Sequence, residues 1–325
     1  MLLILIYPAI CINCTNELHF TSITGFLKIV ETKSITKAAN ELYLTQPAVS
    51  IQLKNFQDQF DIALTEVLGK QLYVTDFGKE IAGMAERIIQ EVEAINYKTQ
   101  TYKGILSGRL KLAIVSTGKY IMPYFLTGFI KHNPAVDLTM DVTNKAMVIS
   151  SLENNEIDFA LVSLLPDKLQ VEQEILLENH LYLVGNKEEK FSSKPYKRSI
   201  FDSLPMIYRE AGSGTRSVME NFLEKSKITV KKKMELTSNE AVKQAVIAGL
   251  GYSIMPLIGI HGELVNDSLQ IIPVEGLPAR STWRLIWLKN KKLSPTAWAF
   301  LEYIRKNKIE ILHDNFGWVE EFNKE

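Results

Sequence analysis

The sequence predicts a small head that combines helices with a β-hairpin, then one long helix, then a larger α/β domain. Three observations carry this. Two short helical patterns meet at a tight break within residues 34–56, and an alternating hairpin pattern follows. An apolar stripe at helical spacing then runs over several turns. Beyond Arg109, short apolar runs alternate with helical patterns, which argues for a mainly parallel α/β sheet. With 325 residues there is room for two or three domains, and 46% hydrophobic content allows sizeable cores.

Leu18–Thr32 reads as the first helix, because Phe20, Ile23, Phe26, Leu27 and Val30 recur three and four residues apart. Ile35, Ala38, Ala39 and Leu42 form a second, and its adjacent alanines let another helix come close. After the break at Tyr43-Leu44, Thr45 can cap a third helix by accepting a free backbone N–H of its first turn. Pro47 sits in that first turn, where a missing N–H costs little. Val49, Leu53 and Phe56 give this helix an apolar stripe and leave Gln46, Ser50, Gln52, Lys54 and Asn55 outward. Such an arrangement is a helix-turn-helix, which offers the first turns of its second helix to base edges of double-stranded DNA. An ordinary helical hairpin with a solvated amide face fits the same stretch. Leu72 and Val74 alternate with polar neighbours after the turn Leu68-Gly69-Lys70, so a short wing follows, with Lys70 near its tip.

Asp76 to about Ser107 is the long helix, striped by Ile81, Met84, Ala85, Ile88, Ile89, Val92 and Ile95. A stripe of this kind alone more often marks a core helix than a coiled coil. Gly104 and Gly108 mark a hinge. Strands are then expected at Leu110–Ser116, Leu138–Val142 and Phe159–Ser163, with helices at Ile121–Lys131 and Ala146–Asn154 between them. Further strands are expected at Ile175–Leu177, Leu181–Val184, Met206–Tyr208 and Trp283–Leu288. The later helices are Ser217–Lys225, Glu240–Ala248 and Ser294–Lys306. Lys231-Lys232-Lys233 reads as a solvated face, and the tail carrying Phe316, Trp318 and Phe322 gives no usable signal.

The chain has 37 basic and 37 acidic residues, so no overall positive field attracts nucleic acid. Binding to DNA would rest on a local Lys face, a helix N-terminus and a dimer. Cys11 and Cys14 form a lone C-x-x-C without a second pair, and read as incidental. The five histidines are scattered and no nucleophile motif occurs, so neither an enzyme nor a metal or cofactor is expected. Met1–Ile12 is apolar but too short to span a bilayer, and it lacks a signal peptide's charged start and cleavage site. The chain therefore reads as cytoplasmic, with no membrane partner.

The strongest small-molecule signal is Gly212-Ser213-Gly214-Thr215-Arg216 ahead of a helix. The glycines let backbone N–H groups approach a ligand, the helix dipole favours an anion, and the hydroxyls and Arg216 add donors. A glycine-rich helix start without a ligand fits the same residues.

Residues 16–80 resemble the winged helix-turn-helix of LysR-type transcriptional regulators. The matches run in register through Phe26-Leu27, Val30, Ser34, Thr36, Ala38-Ala39, Leu42, Gln46-Pro47-Ala48-Val49-Ser50, Gln52, Gly69, Leu72, Thr75 and Gly78. Leu64-Thr65-Glu66-Val67 replaces the usual Leu-Phe-Glu-Arg, and Ile51 stands where Arg or Lys is common. The resemblance continues to about Leu312 and implies a winged helix-turn-helix over 16–77 and a dimerising linker helix over 78–107. It also implies an effector domain over 108–312, built like a two-lobed periplasmic binding protein. Lobe I would hold about 108–171 and 280–312, and lobe II about 172–279. The DNA-facing residues would be Ser34, Thr36, Thr45, Gln46, Pro47, Ser50, Gln52, Lys54 and Lys70. The effector cleft would add Ser116, Thr117, Asn144, Ser163 and Ser238 to Gly212–Arg216. The Gly-Ser-Gly-Thr-Arg form is similar to the Calvin-cycle and cysteine-biosynthesis regulators, which implies a small anionic effector. Implied partners are DNA, that effector, a second copy of the chain in a dimer or tetramer, and RNA polymerase. The alternative is a solute-binding protein of the two-lobed periplasmic type, which would leave the head and the linker helix without a purpose.

Overall fold

The computed structural model describes residues 19–69, 71–102, 104–225, 228 and 230–322. Met1–Ile12, Cys11, Cys14 and Lys70 lie outside the described residues. The chain divides between Thr99 and Gln100 into two compact units.

The first unit contains α1 (Phe20–Thr32), α2 (Ile35–Glu41), α3 (Gln46–Gln57), the strands β1 (Thr65–Leu68) and β2 (Gln71–Val74), and most of α4 (Asp76–Tyr102). Phe26, Ile29, Ala38, Val49, Phe56 and Leu64 form its core, with the rings of Phe26 and Phe56 5.0 Å apart. The wing is an antiparallel pair closed at Leu68 and Gln71. Gly78 is obligatory: a Cβ there would lie 2.1 Å from the Leu64 carbonyl oxygen, so only glycine lets the start of α4 cross the strand leading into the wing. The linker stripe divides between two faces. Ala82 and Ala85 are buried against the head, whereas Met84 and Ile88 are exposed. The helix ends at Tyr102 rather than near Ser107, and Gly104 follows in a left-handed conformation (φ 74°).

The second unit begins with β3 (Gly108–Val115), α5 (Met122–His132), β4 (Val136–Thr143), α6 (Lys145–Glu153), β5 (Phe159–Val162) and β6 (Val171–Asn186). It continues with β7 (Pro205–Arg209), α7 (Gly214–Lys225), β8 (Lys231–Leu236), α8 (Asn239–Ile247) and β9 (Ser253–Pro256). It closes with α9 (His261–Val265), β10 (Leu269–Ile271), β11 (Ala279–Leu288) and α10 (Pro295–Phe322). Strands run in the order β10-β6-β11-β5-β3-β4, with β9 also paired to β6, while β7 and β8 form a separate pair.

The sheet is mixed rather than mainly parallel. Among the described strands only β4-β3-β5 and β7-β8 are parallel; β11 runs antiparallel to β5 and β6, and β9 and β10 run antiparallel to β6. The cause is a pair of long return strands, β6 and β11, which serve two cores. One core gathers Phe125, Phe129, Phe159, Trp283 and Phe300 around β3, β5 and β11. The others gather Phe201, Met206, Ile254, Val242 and Val246 around β7, β9 and α8. The two expected short strands at 175–177 and 181–184 are therefore one. The polar Glu178-Asn179-His180 between them stays in the ladder opposite Thr282, Ser281 and Arg280. Lys231–Lys233 is exposed, as expected, but on strand β8. The last helix continues through Phe322, because Phe316 and Val319 are buried in the first core and Phe316 meets Tyr124 edge-on at 5.3 Å.

Candidate functional site

On the head, Thr45 caps α3 by accepting from Ala48 N at 3.4 Å, and Ser34 caps α2 by accepting from Lys37 N at 3.3 Å. Thr36, Thr45, Gln46, Pro47, Ser50 and Lys54 are exposed. Ser34 is half-buried and its oxygen is occupied by the cap. Gln52 is also half-buried and turns toward α1: a Cβ on Gly25 would come 2.6 Å from its Oε1. The outward surface of α3 is thus narrower than periodicity suggests, centred on Gln46 and Ser50.

In the second unit, the ends of β3, β5 and β7 meet the starts of α6 and α7 around a small polar pocket open to solvent. Ser116, Thr117, Asn144, Ser163, Ser213, Gly214 and Thr215 line it together, joined by Val115, Lys145 and Arg209, which sequence reasoning missed. Asn144 caps α6 by accepting from Met147 N at 3.0 Å, and α7 opens at Gly214 rather than at Ser217. Two helix N-termini therefore converge on one space with their partial positive charge, although at α6 Met147 N is taken by Asn144 Oδ1 and Ala146 N by Gly212 O. Lys145 adds a full charge; its partner is the neutral Leu165 carbonyl at 3.3 Å. Arg209 is 3% exposed and balanced internally, with Nε and Nη2 donating to the Glu210 carboxylate at 2.8 and 2.9 Å. Its Nη1 donates to Ser116 Oγ at 3.1 Å.

The two sides of the cleft touch directly. Ala146 N donates to Gly212 O at 3.3 Å, and Asn239 Nδ2 donates to Ser116 Oγ at 3.0 Å. Gly212 has φ 84°, and a Cβ there would lie 3.0 Å from that of Ala146, so its glycine both makes the turn and lets α6 approach.

Gly212, Arg216 and Ser238 lie outside the lining. Ser238 caps α8 by accepting from Ala241 N at 3.0 Å. Arg216 donates to Glu220 at 2.6 Å, to Glu235 at 2.8 Å and to the Arg209 carbonyl at 3.1 Å, with its guanidinium over the Tyr208 ring. Hydrogen bonding to Glu220, and then to Glu235, raises its already high pKa. The cause is local: Glu220 is four residues along the same helix, within reach by helical geometry, and β8 brings Glu235 alongside.

A capped recognition helix and wing, followed by an α/β domain with a polar cleft, define a transcriptional regulator with its own small-molecule sensor. The chain belongs to the LysR family. Residues 20–79 match the bacterial regulatory helix-turn-helix protein, lysR family, and residues 103–308 match the LysR substrate binding domain. It is 34% identical to a RuBisCO operon transcriptional regulator of Allochromatium vinosum, over 86% of this chain and 93% of that one. The HTH-type transcriptional activator CmpR of Synechocystis is also 34% identical, over 86% of this chain and 92% of that one. The second unit is similar to the Synechocystis CcmR regulatory domain solved in complex with 2-PG, at 31% identity and TM-score 0.59, covering 61% of this chain and 96% of that one. Full-length CbnR, solved with its target DNA, shares the fold at 19% identity and TM-score 0.67, covering 89% of this chain and 99% of that one. These relatives are transcriptional regulators, and the matched head sets the solute-binding alternative aside. Among the described residues no helix is long and apolar enough to cross a membrane.

Proposed function

We propose that this regulator binds a small anion in the cleft and that the anion changes how its head engages operator DNA. The observation that carries this reading is the convergence of two helix N-termini, Lys145 and several hydroxyls on one small space. Each favours negative charge, and an anion bridging them would join the two sides of the cleft. Such binding alters DNA engagement only as far as it favours one arrangement of the lobes. Arg216, with two carboxylates already in contact, holds the start of α7 in place and leaves the charge of the ligand to Lys145. The 2-PG bound by CcmR and the RuBisCO operon named for other relatives point to an effector and target genes of carbon metabolism.

In this reading Gln46 and Ser50 contact bases, while Thr36, Thr45, Pro47, Lys54 and Lys70 contact or approach the backbone of the operator. The exposed Met84–Ile88 face of α4 pairs with a second copy, the assembly works in the cytoplasm, and RNA polymerase is the partner that receives the signal. Sedimentation of Ile88→Glu should show monomers, and an unchanged oligomer would put the interface elsewhere. The sensor reading is tested by ligand-shifted thermal melting with 2-PG and other small phosphates and carboxylates. A rise in melting temperature that disappears in Lys145→Ala is expected; no rise with any anion would defeat the reading.

A further inference from the structure

Ser116 receives two hydrogen bonds from across the cleft, from Arg209 Nη1 at 3.1 Å and from Asn239 Nδ2 at 3.0 Å. A serine hydroxyl has one proton and two acceptor sites. Both acceptor sites are filled, so what Ser116 has left is its proton, and it stands in the cleft wall. Toward a ligand it is a donor only. Asn239, the first residue of α8, is 4% exposed, and its Oδ1 has no hydrogen-bond partner among the described residues. Burying an unpaired amide acceptor is unfavourable, and native structures keep such an atom where something else is to meet it. Arg209 is not available for a second role, since Nε and Nη2 are committed to Glu210.

A committed donor beside an unpaired acceptor is the complement of a hydroxyl, which accepts one hydrogen bond and donates another. Resting on the anion reading above, we propose that Ser116 and Asn239 form a hydroxyl-reading subsite next to the anion position. The effector's hydroxyl oxygen accepts from Ser116, and its proton goes to Asn239 Oδ1. Oδ1 and Nδ2 belong to one amide, and Nδ2 already touches Ser116 Oγ, so a single hydroxyl oxygen can reach both groups. Ser116 lies in the lining of the cleft and Asn239 is hydrogen-bonded to it from the opposite side, so a ligand hydroxyl seated at Ser116 comes within reach of both. The ligand class is therefore a hydroxy acid or a phosphorylated hydroxy acid, distinguished from its deoxy counterpart.

The test uses the full chain, thermal melting under ligand titration, and two matched pairs: malate against succinate, and 3-phosphoglycerate against 3-phosphooxypropionate. The hydroxylated member of a binding pair should bind about tenfold more tightly, as expected when a buried polar group finds or loses its partner. Asn239→Ala should erase the preference. Asn239→Asp loses the Nδ2 donor and draws the Ser116 proton onto its own carboxylate, so it should erase the preference as well, while weakening both members through its charge. Equal affinities in the wild type, or a preference that survives Asn239→Ala, would overturn the subsite. If Asn239→Ala fails to fold, the wild-type pairs and Asn239→Asp still decide. Lys145→Ala separates the two readings. Binding that needs Lys145 but ignores the hydroxyl removes the subsite and leaves the anion site; no binding by any of the four anions removes both.

Discussion

The recognition surface of the head and the cleft of the sensor use the same polar chemistry in opposite ways. Gln46, Ser50 and Lys54 project from one helix into solvent, above a core to which they contribute nothing. The groups of the cleft come from the ends of three strands and the starts of two helices, and Thr117, Ser163, Arg209 and Ser213 are buried. The head can therefore change what it reads without changing how stably it folds. In the cleft, recognition and stability share the same hydrogen bonds.

Arg209→Ala should break the comparison most severely. It leaves the Glu210 carboxylate, 15% exposed, without its partner, and removing one member of a buried pair costs about 3–5 kcal/mol. Chemical denaturation should show the second unit unfolding at much lower denaturant, and replacing Arg209 and Glu210 together with Met and Leu should recover a large part of the loss. A cost near zero for Arg209→Ala would mean the cleft is no more tied to folding than the head is. Lys145→Ala is the sharper case, because Lys145 has a neutral partner and is half-buried. Anion binding should weaken by roughly 1.5–3 kcal/mol, the scale of a charge-assisted hydrogen bond, while the melting temperature without ligand barely moves.

Gln46→Ala or Ser50→Ala should weaken operator binding by roughly 1–3 kcal/mol and change stability by no more than about 0.5 kcal/mol, as for exposed positions elsewhere. Binding to random DNA should be nearly unchanged. Equal loss on operator and random DNA would reduce both residues to positioning contacts.

Legibility in the sequence follows the same division. The Val49, Leu53 and Phe56 stripe lies within one helix, so spacing alone separates its buried side from its outward side, and the outward residues can be named. Gln52 escapes that logic because its neighbour Gly25 lies on another helix. In the cleft, the Gly212–Thr215 turn is visible because glycines and hydroxyls are contiguous. Arg209 and Lys145 are not: their place depends on β7 ending and α6 starting beside the end of β3, which no local pattern encodes. The tail is a different case. Phe316 and Val319 are buried in the first core, and Trp318 and Phe322 meet His261 of α9 and Tyr182 of β6, neighbours that lie far from them in the sequence.

The smallest effect is expected at Arg216, the residue that sequence alone makes the centre of the anion site. Its ion pair with Glu220 is partly exposed on both sides, 20% and 39%, and pairs of this kind contribute roughly 0–1 kcal/mol. Arg216→Ala should therefore lower the melting temperature slightly, and added salt should shrink the difference between variant and wild type. Acid should shrink it too. Lys232 first, and then Arg216, hold the Glu235 carboxyl below its ordinary value. A carboxyl held low in the folded state stabilises above its ordinary pKa, and that contribution disappears as pH falls through the folded value. The gap between variant and wild type should accordingly be widest near neutrality and narrow below the usual carboxylate range. The anion response should persist in Arg216→Ala, since Lys145 and the two helix starts are untouched. If the variant melts like the wild type and no longer responds to any anion, Arg216 swings into the cleft on binding, and the contrast between a committed Arg216 and an uncompensated Lys145 fails.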